Sequence, residues 1–468
     1  KPPYKALPSK NIDKQSVFAD ELDKLENKPY TPLFVDFDRD FRYGDLQDNV
    51  HLVTGNNPVN NIFTLTMKFG YGKNRDKLTE LIPEHFNELG TESATVGEFR
   101  TAMQKLGASY SITSGRTSVS FEVEGFDKHF DETMALVNDY LRNIKPDDKQ
   151  MSKTYQSIRE RNKMERKDHS VLAGAHFNYV LMGEHSTHIN RVSLKDVKKL
   201  KSEDILNSFR NALNHETTIT YVGKIPFDEV KKIISDRIKF PDKVQPADST
   251  FFEIKNYDSD LISLYDYKKA NQTYTLFYVP GKPGNMNDIM TSTFFNRYFG
   301  TGMSSIMFHE IRELRSLSYS ASATYSFPNR QFAGFKGFLY GQLSTQADKT
   351  AEAVALVDSL VKHLPQKPEL LDMMKNAFKE SINTSRPAFR EIPSYGYSLI
   401  KQGYTEDLRK IHYDSLNLFN MESINRFHAE FIKDHPLIHI LTGNESKMEL
   451  DKLKIRKQKV SLKDILTQ

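Results

Sequence analysis

Residues Leu89–Tyr110 (LGTESATVGEFRTAMQKLGASY) and Phe299–Tyr319 (FGTGMSSIMFHEIRELRSLSY) follow one plan: a small-residue turn, an amphipathic helical stretch and the entry to a strand. Phe99 to Phe308 and Tyr110 to Tyr319 are both separated by 209 residues. Phe63 to Tyr274 and Gly70 to Gly281 are separated by 211, and Met134 to Val354 and Gly223 to Gly443 by 220. A chain that repeats one unit of this length folds as two like domains, each with its own core. The growth of the spacing from 209 to 220 puts eleven extra residues into the second copy's hairpin, near Ser326–Gln342.

Within the unit the hydrophobic period alternates between two and 3.6. Tyr43–Gly70 reads as strand, turn, strand around Gly55-Asn56-Asn57-Pro58. Helical periodicity follows over 76–89 and 96–106, then a hairpin over 110–125 turning at Ser114-Gly115, then helices over 127–144 and 148–181. Ser202 before Glu203-Asp204 reads as a helix N-cap, and that helix leads to a strand at Thr218–Val222. Antiparallel ribbons without regular βαβ crossovers predict an α+β fold: two homologous domains, each a mostly antiparallel sheet with helices on one face. The Lys/Pro-rich residues 1–33 read as a linker or strap. The domains are expected at 34–240 and 255–468, joined by 241–254, where the proline-bearing FPDKVQPADS has no periodicity.

Composition narrows the partners. A net charge of +4 in 468 residues carries no signature of a polyanion partner, so nucleic acid is not expected. With no cysteine there is no thiolate ligand or nucleophile. No apolar run approaches the roughly 20 residues of a membrane span. Six lysines and arginines fall in Lys452–Lys463, read as a solvated terminal segment.

Two stretches carry a resemblance. Gly183-Glu-His, Leu194-Lys-Asp-Val, Ser202-Glu-Asp-Ile and Tyr221-Val-Gly223 in the first copy, and FGTGMSSIMFHEIRELRSLSYS in the second, are similar to the pitrilysin/insulinase-type zinc peptidases. The resemblance covers nearly the whole chain after residue 40 and implies one half of a clamshell built from two halves of two domains each. The family's metal site is His-x-x-Glu-His plus a downstream glutamate; two imidazoles at i and i+4 share a helix face, and the glutamate polarises the water. The corresponding residues here are Leu81, Glu84 and His85, with Pro83 in the turn. The downstream carboxylate would stand near Arg161 or Asn162, with Glu160 and Glu165 close by. The expectation is therefore no metal in this chain, zinc in a partner half, and Glu84 with His85 as a solvated pair. His185 and His188 are expected as surface histidines.

The resemblance also assigns Arg312 and Tyr319 as groups that reach an active site in the other half, bind substrate backbone and steady an oxyanion. A guanidinium and a phenol suit a developing negative charge. Spacing alone leaves open a plainer reading, in which Arg312 pairs with Glu313 on a wet helix face and Tyr319 is an ordinary strand residue. Gly300 and Gly302 either approach a bound peptide backbone or just make the turn. Ser316 stands where the family usually has glycine at the helix end.

The function implied is that of a non-catalytic half of a zinc metalloendopeptidase, whose partners are a zinc-bearing half and an unfolded peptide added to a sheet edge. An inactive scaffold subunit and an autonomous peptidase with an altered metal site are the alternatives. The resemblance implies a periplasmic or mitochondrial-type compartment.

Overall fold

The computed structural model describes residues 16–25, 31–329, 332 and 334–467. Most of the expected strap, 1–15 and 26–30, lies outside the described residues.

Two six-stranded mixed sheets form the framework. The first contains β1 (Arg42–Gln47), β2 (Val50–Asn56), β3 (Ile62–Phe69), β4 (Ser109–Ser114), β5 (Val119–Phe126) and β6 (Thr217–Gly223), in the order β1-β2-β6-β3-β5-β4. The second contains β7 (Leu261–Asp266), β8 (Gln272–Pro280), β9 (Ala321–Ser326), β10 (Phe338–Gln346), β11 (Ile438–Gly443) and β12 (Arg456–Lys459), in the order β12-β7-β11-β8-β10-β9. β2 and β6 run parallel, as do β7 and β11, and the inner ribbons of both sheets are antiparallel. The duplication stops at one edge. β1 is an antiparallel neighbour of β2, whereas the matching place beside β7 is taken by β12 from the far end of the chain, running parallel. Within the basic tail Arg456–Lys459 is thus an edge strand, and its side chains are exposed.

Each sheet buries one face under its own domain's helices and the other under a helix of the opposite domain. The His169–Met182 helix of the first domain packs through Val180, Leu181 and Met182 against Tyr278, Ile438 and Ile440 of the second sheet. In return, Ile392 and Tyr397 of the Ile392–Lys401 helix pack with Val35, Phe41 and Val53 on the first sheet. His176 is fully buried at the first of these contacts, with Nδ1 3.0 Å from Thr442 Oγ1 and Nε2 2.7 Å from Ser263 Oγ. The two domains are therefore held by exchanged helices. The last strap residue joins in, its Leu33 carbonyl accepting from Arg409 at 2.6 Å, and just beyond it the Val35 amide donates to the buried Asp407 carboxylate at 2.7 Å.

The ladders correct the duplication register. In the sheet frame set by Gly223 and Gly443, Phe63 corresponds to Thr273, not Tyr274: Phe63 and Thr273 pair with β5 and β10 on the own-helix side, whereas Tyr274 faces His169 of the exchanged helix. A shift of one residue along a strand inverts the face, so sequence similarity alone misplaced this pair. The eleven extra residues also divide. Tyr110 pairs with Val123, and the equivalent rung in the second sheet is Ala321 with Leu343, so two extra residues precede β9 and the rest lie in the hairpin after it. The helical run expected over 148–181 is broken into Met151–Glu165 and His169–Met182, with Asp168 capping the second through the Ser170 and Val171 amides. Ser202 is the first helical residue and not the cap; Lys201 holds that place. Residues 241–254 run irregularly, tied by the Gln245 and Asp248 amides to Asn214 and Gly70 carbonyls.

Candidate functional site

The Met286–Phe299 helix ends at Gly300, whose amide returns to the Asn296 carbonyl at 2.8 Å. A side chain at Gly300 would lie 1.9 Å from the Ala323 carbonyl oxygen, so this glycine is required by contact with β9. Gly302 adopts φ +89 with open space around it. The chain then enters a helical segment whose second part, Phe308–Glu313, is π-helical; the Leu314 amide reaches the His309 carbonyl five residues back at 2.9 Å. The single amphipathic helix expected over this stretch is thus a short wide turn. Ile306, Met307 and Ile311 anchor its inner side in the core.

Ser316 ends the turn with φ 51, the left-handed conformation that its counterpart Gly107 adopts at φ 65. The Ser316 and Leu317 amides close onto the Arg312 and Ile311 carbonyls at 3.0 and 2.9 Å. The glycine-type cap survives without glycine, against a steric cost of about 1 kcal/mol.

Arg312 and Tyr319 meet outside this cap. The guanidinium carbon stands 4.5 Å from the Tyr319 ring centroid and 4.7 Å from that of Phe308, a sandwich of one cation between two aromatic faces. Arg312 Nε is also 3.4 Å from Glu313. Tyr319 is 82% exposed and lies in the bend before β9 rather than in the strand. Its apparent counterpart Tyr110 sits in β4 and stacks on Phe121 within the first core, and the counterpart of Arg312 is Met103. Only the second copy carries the pair. Arg312 borders a cleft of about 560 Å³ lined by Met303, Phe308, Met373 and Phe378, and Tyr319 borders a polar groove of similar size with Gln272, Ser344 and Gln346.

Glu310 carries no signal in the sequence that singles it out. Its carboxylate lies inside the turn, 2.5 Å from both Arg315 and Lys367. Burial alone would raise this carboxyl, but hydrogen bonds from Lys367 and Arg315 hold it below its ordinary range. A charge repeat within one helix is too common to single it out; its partner Lys367 lies 57 residues away.

The degenerate metal stretch differs from the solvated pair expected. Leu81 and His85 are both fully buried. His85 Nδ1 lies 2.9 Å from Thr154 Oγ1 and Nε2 lies 2.7 Å from Ser202 Oγ, which itself accepts the Asp147 amide. Burial pushes the imidazole down to about 4, so it is neutral, and both nitrogens are spent on hydroxyls. Glu84 points the other way and receives Arg161 Nη1 at 2.5 Å; burial raises its carboxyl although Arg161 opposes this. Arg161 is one of the two positions, with Asn162, at which the resemblance expects the third ligand, and Lys73–Glu80 and Arg191–Glu165 pairs at 2.7 Å flank it. A guanidinium in place of a carboxylate, a leucine in place of an imidazole and a histidine with no free lone pair do not fit zinc. No group of three or more His, Cys, Asp or Glu side chains with metal-holding geometry occurs among the described residues. His185 stacks on Phe252 at 3.9 Å and is part-exposed, and His188 is partly buried, which lowers it to about 4.

Comparison with known families decides the lineage. The model of the insulinase peptidase family M16 matches residues 80–184, and that of the peptidase M16 inactive domain matches residues 204–379. The chain belongs to the M16 peptidase family. Solved structures share the fold at low identity. The peptidase M16 inactive domain from Pseudomonas fluorescens aligns with a TM-score of 0.68 at 14% identity, over 90% of this chain and 100% of that one. A protease from Helicobacter pylori aligns at 0.66 and 13%, over 86% and 99%. The periplasmic protease PqqL from Escherichia coli aligns at 0.68 and 12%, over 89% of this M16 chain but 46% of its own. No curated protein sequence is significantly similar to the chain.

Proposed function

We propose that this M16 chain is the non-catalytic half of a zinc endopeptidase, closing against a zinc-bearing half and lending Arg312 and Tyr319 to that half's active site. The observation that carries this reading is the stack of half-buried Arg312 between Phe308 and the exposed Tyr319, outside the second core. The first copy has no such pair, with Met103 and Tyr110 at the matching positions packed in its core. Support also comes from a metal stretch that cannot hold zinc, and from the span of this chain matching roughly half of PqqL.

In this reading the metal-bound water chemistry is supplied by the partner. Arg312 donates charge-assisted hydrogen bonds to the carbonyl oxygen under attack, and the Tyr319 hydroxyl donates a further one; both strengthen as negative charge develops there. The apolar cleft on the Arg312 side and the polar groove on the Tyr319 side receive the flanking peptide. The substrate is an unfolded peptide held mainly through its backbone.

The test is hydrolysis of a quenched fluorogenic peptide by the chain alone, by a zinc-bearing M16 half alone, and by the two together, with zinc measured in each. The chain is expected to be inert and zinc-poor alone, with activity appearing on mixing. Stoichiometric zinc and turnover by the isolated chain would sink the proposal.

A further inference from the structure

The two residues inserted before β9 have an identifiable holder. In the β9–β10 ladder the rung after Ala321–Leu343 would pair Ser320 with Ser344, as Ser109 pairs with Glu124 in the first domain. That rung is open. The Ser344 amide donates to Ser318 Oγ at 3.1 Å, and the Ser318 hydroxyl donates to the Ser320 carbonyl at 2.6 Å. A side-chain hydroxyl is inserted between a strand amide and the carbonyl it would otherwise meet, and β9 therefore starts only at Ala321.

The consequence falls on the residue between the two serines. Ser318 is 6% exposed and Leu317 is buried, so the segment is pinned inward at 317–318 and rejoins the sheet at Ala321. With two residues more than the first copy between the helix cap and the ladder, the slack must leave the sheet plane, and Tyr319 is what leaves. The first domain has no slack: Tyr110 follows Gly107 by three residues and enters the strand with its ring in the core.

We infer that Ser318 is a positioning residue: its hydroxyl wedges open the first rung of the β9–β10 ladder and so holds Tyr319 out against Arg312. The inference rests on the reading of Arg312 and Tyr319 as groups offered to a partner's site. Its physical content is separate from that reading. Without the hydroxyl, the Ser344 amide either loses its partner or closes directly onto Ser320, and in both cases the geometry that ejects Tyr319 is relaxed.

The experiment compares wild type with Ser318→Ala, Ser318→Thr and Tyr319→Phe by amide hydrogen exchange of the full chain and by kcat and KM of the assembled pair with the fluorogenic peptide. In Ser318→Ala the Ser344 amide is expected to change its exchange rate by about tenfold or more while other β10 amides keep theirs, which shows that the domain is folded. The kcat should fall by between about tenfold and a hundredfold with KM little altered, as displacement of a positioned group predicts. Ser318→Thr, which keeps the hydroxyl, should restore both. Unchanged Ser344 exchange in Ser318→Ala overturns the wedge whatever the activity. Altered exchange with unchanged kcat, where Tyr319→Phe lowers kcat, overturns the positioning role and leaves the proposed function standing. Unchanged kcat in Tyr319→Phe overturns the reading of the pair itself and removes the role of Ser318 with it.

Discussion

Arg312 lies between Phe308 and Tyr319, its guanidinium carbon 4.7 Å from one ring centroid and 4.5 Å from the other. Both rings precede or follow it along a turn whose inner side is fixed by Ile306, Met307 and Ile311 in the second core. An arginine so stacked has lost most of its rotamer freedom before any ligand arrives, so less entropy opposes the hydrogen bonds it forms.

The stack and the hydroxyl of Tyr319 separate by substitution. Tyr319→Phe keeps the aromatic plate and removes only the donor. The expected result is a drop in kcat of the assembled pair of about a hundredfold, the usual loss for one oxyanion donor, with an unchanged melting temperature because the ring is solvent-exposed. Steady-state kinetics with thermal melts check it; a fall in stability in place of kcat contradicts it.

Glu310 holds the π-helical turn to the start of the Pro368–Thr384 helix through Lys367, and to the turn's own end through Arg315. Glu310→Gln should destabilise the second domain by about 1 to 3 kcal/mol, the range for losing hydrogen bonds to a largely buried charged group. Its folded carboxyl titrates below its unfolded value, so its contribution is present above the ordinary carboxylate range and is lost as pH falls through the lowered folded value. Urea melts at pH 7 and pH 4 should therefore show a smaller difference between wild type and Glu310→Gln at the lower pH.

His85 gives the opposite kind of group the same sign. Folded, it takes a proton only near pH 4, whereas the unfolded side chain does so near 6.5. Between these values the unfolded chain binds more protons, so stability rises with pH through this window and is full above it. The loss on going from pH 7 to pH 4 is about 3 kcal/mol for this residue at 1.36 kcal/mol per unit. His85→Gln should flatten that part of the pH profile in chemical denaturation, at the cost of a lower plateau at pH 7; an unchanged slope contradicts a buried neutral imidazole.

The metal stretch yields a prediction about restoration. Leu81→His with Arg161→Glu rewrites the family's ligand pattern, but Thr154 and Ser202 still occupy both His85 nitrogens. This double variant should hold well below one equivalent of zinc by elemental analysis after zinc loading and buffer exchange. One tightly held equivalent in the double variant contradicts the assignment of His85 to a structural hydroxyl bridge.

The fold was legible where the duplication was. Glycines at 223 and 443 and the hydrophobic alternation around them gave the two sheets, because strand periodicity and turn residues are local signals. The exchanged helices were not legible, since the apolar face of His169–Met182 reads the same whether it packs on its own sheet or on the neighbour's. Arg312 and Tyr319 stood out through the signature around them, but their contact did not. It depends on a two-residue difference between the helix cap and the ladder, and a tyrosine at matching positions in both copies disguised that difference. At the metal stretch Leu81 and Arg161 were informative as residue types, whereas the hydroxyls that satisfy the buried His85 come from Thr154 and Ser202, 69 and 117 residues away.

The most direct measurement is the kcat of the assembled pair with Arg312→Ala in this chain, at saturating fluorogenic peptide and with zinc occupancy of the partner half confirmed. The account predicts a fall of about a hundredfold or more with assembly and zinc content unchanged, since the donor removed acts on charge that develops during the reaction. An active pair indifferent to Arg312→Ala would contradict it and leave this chain as scaffold.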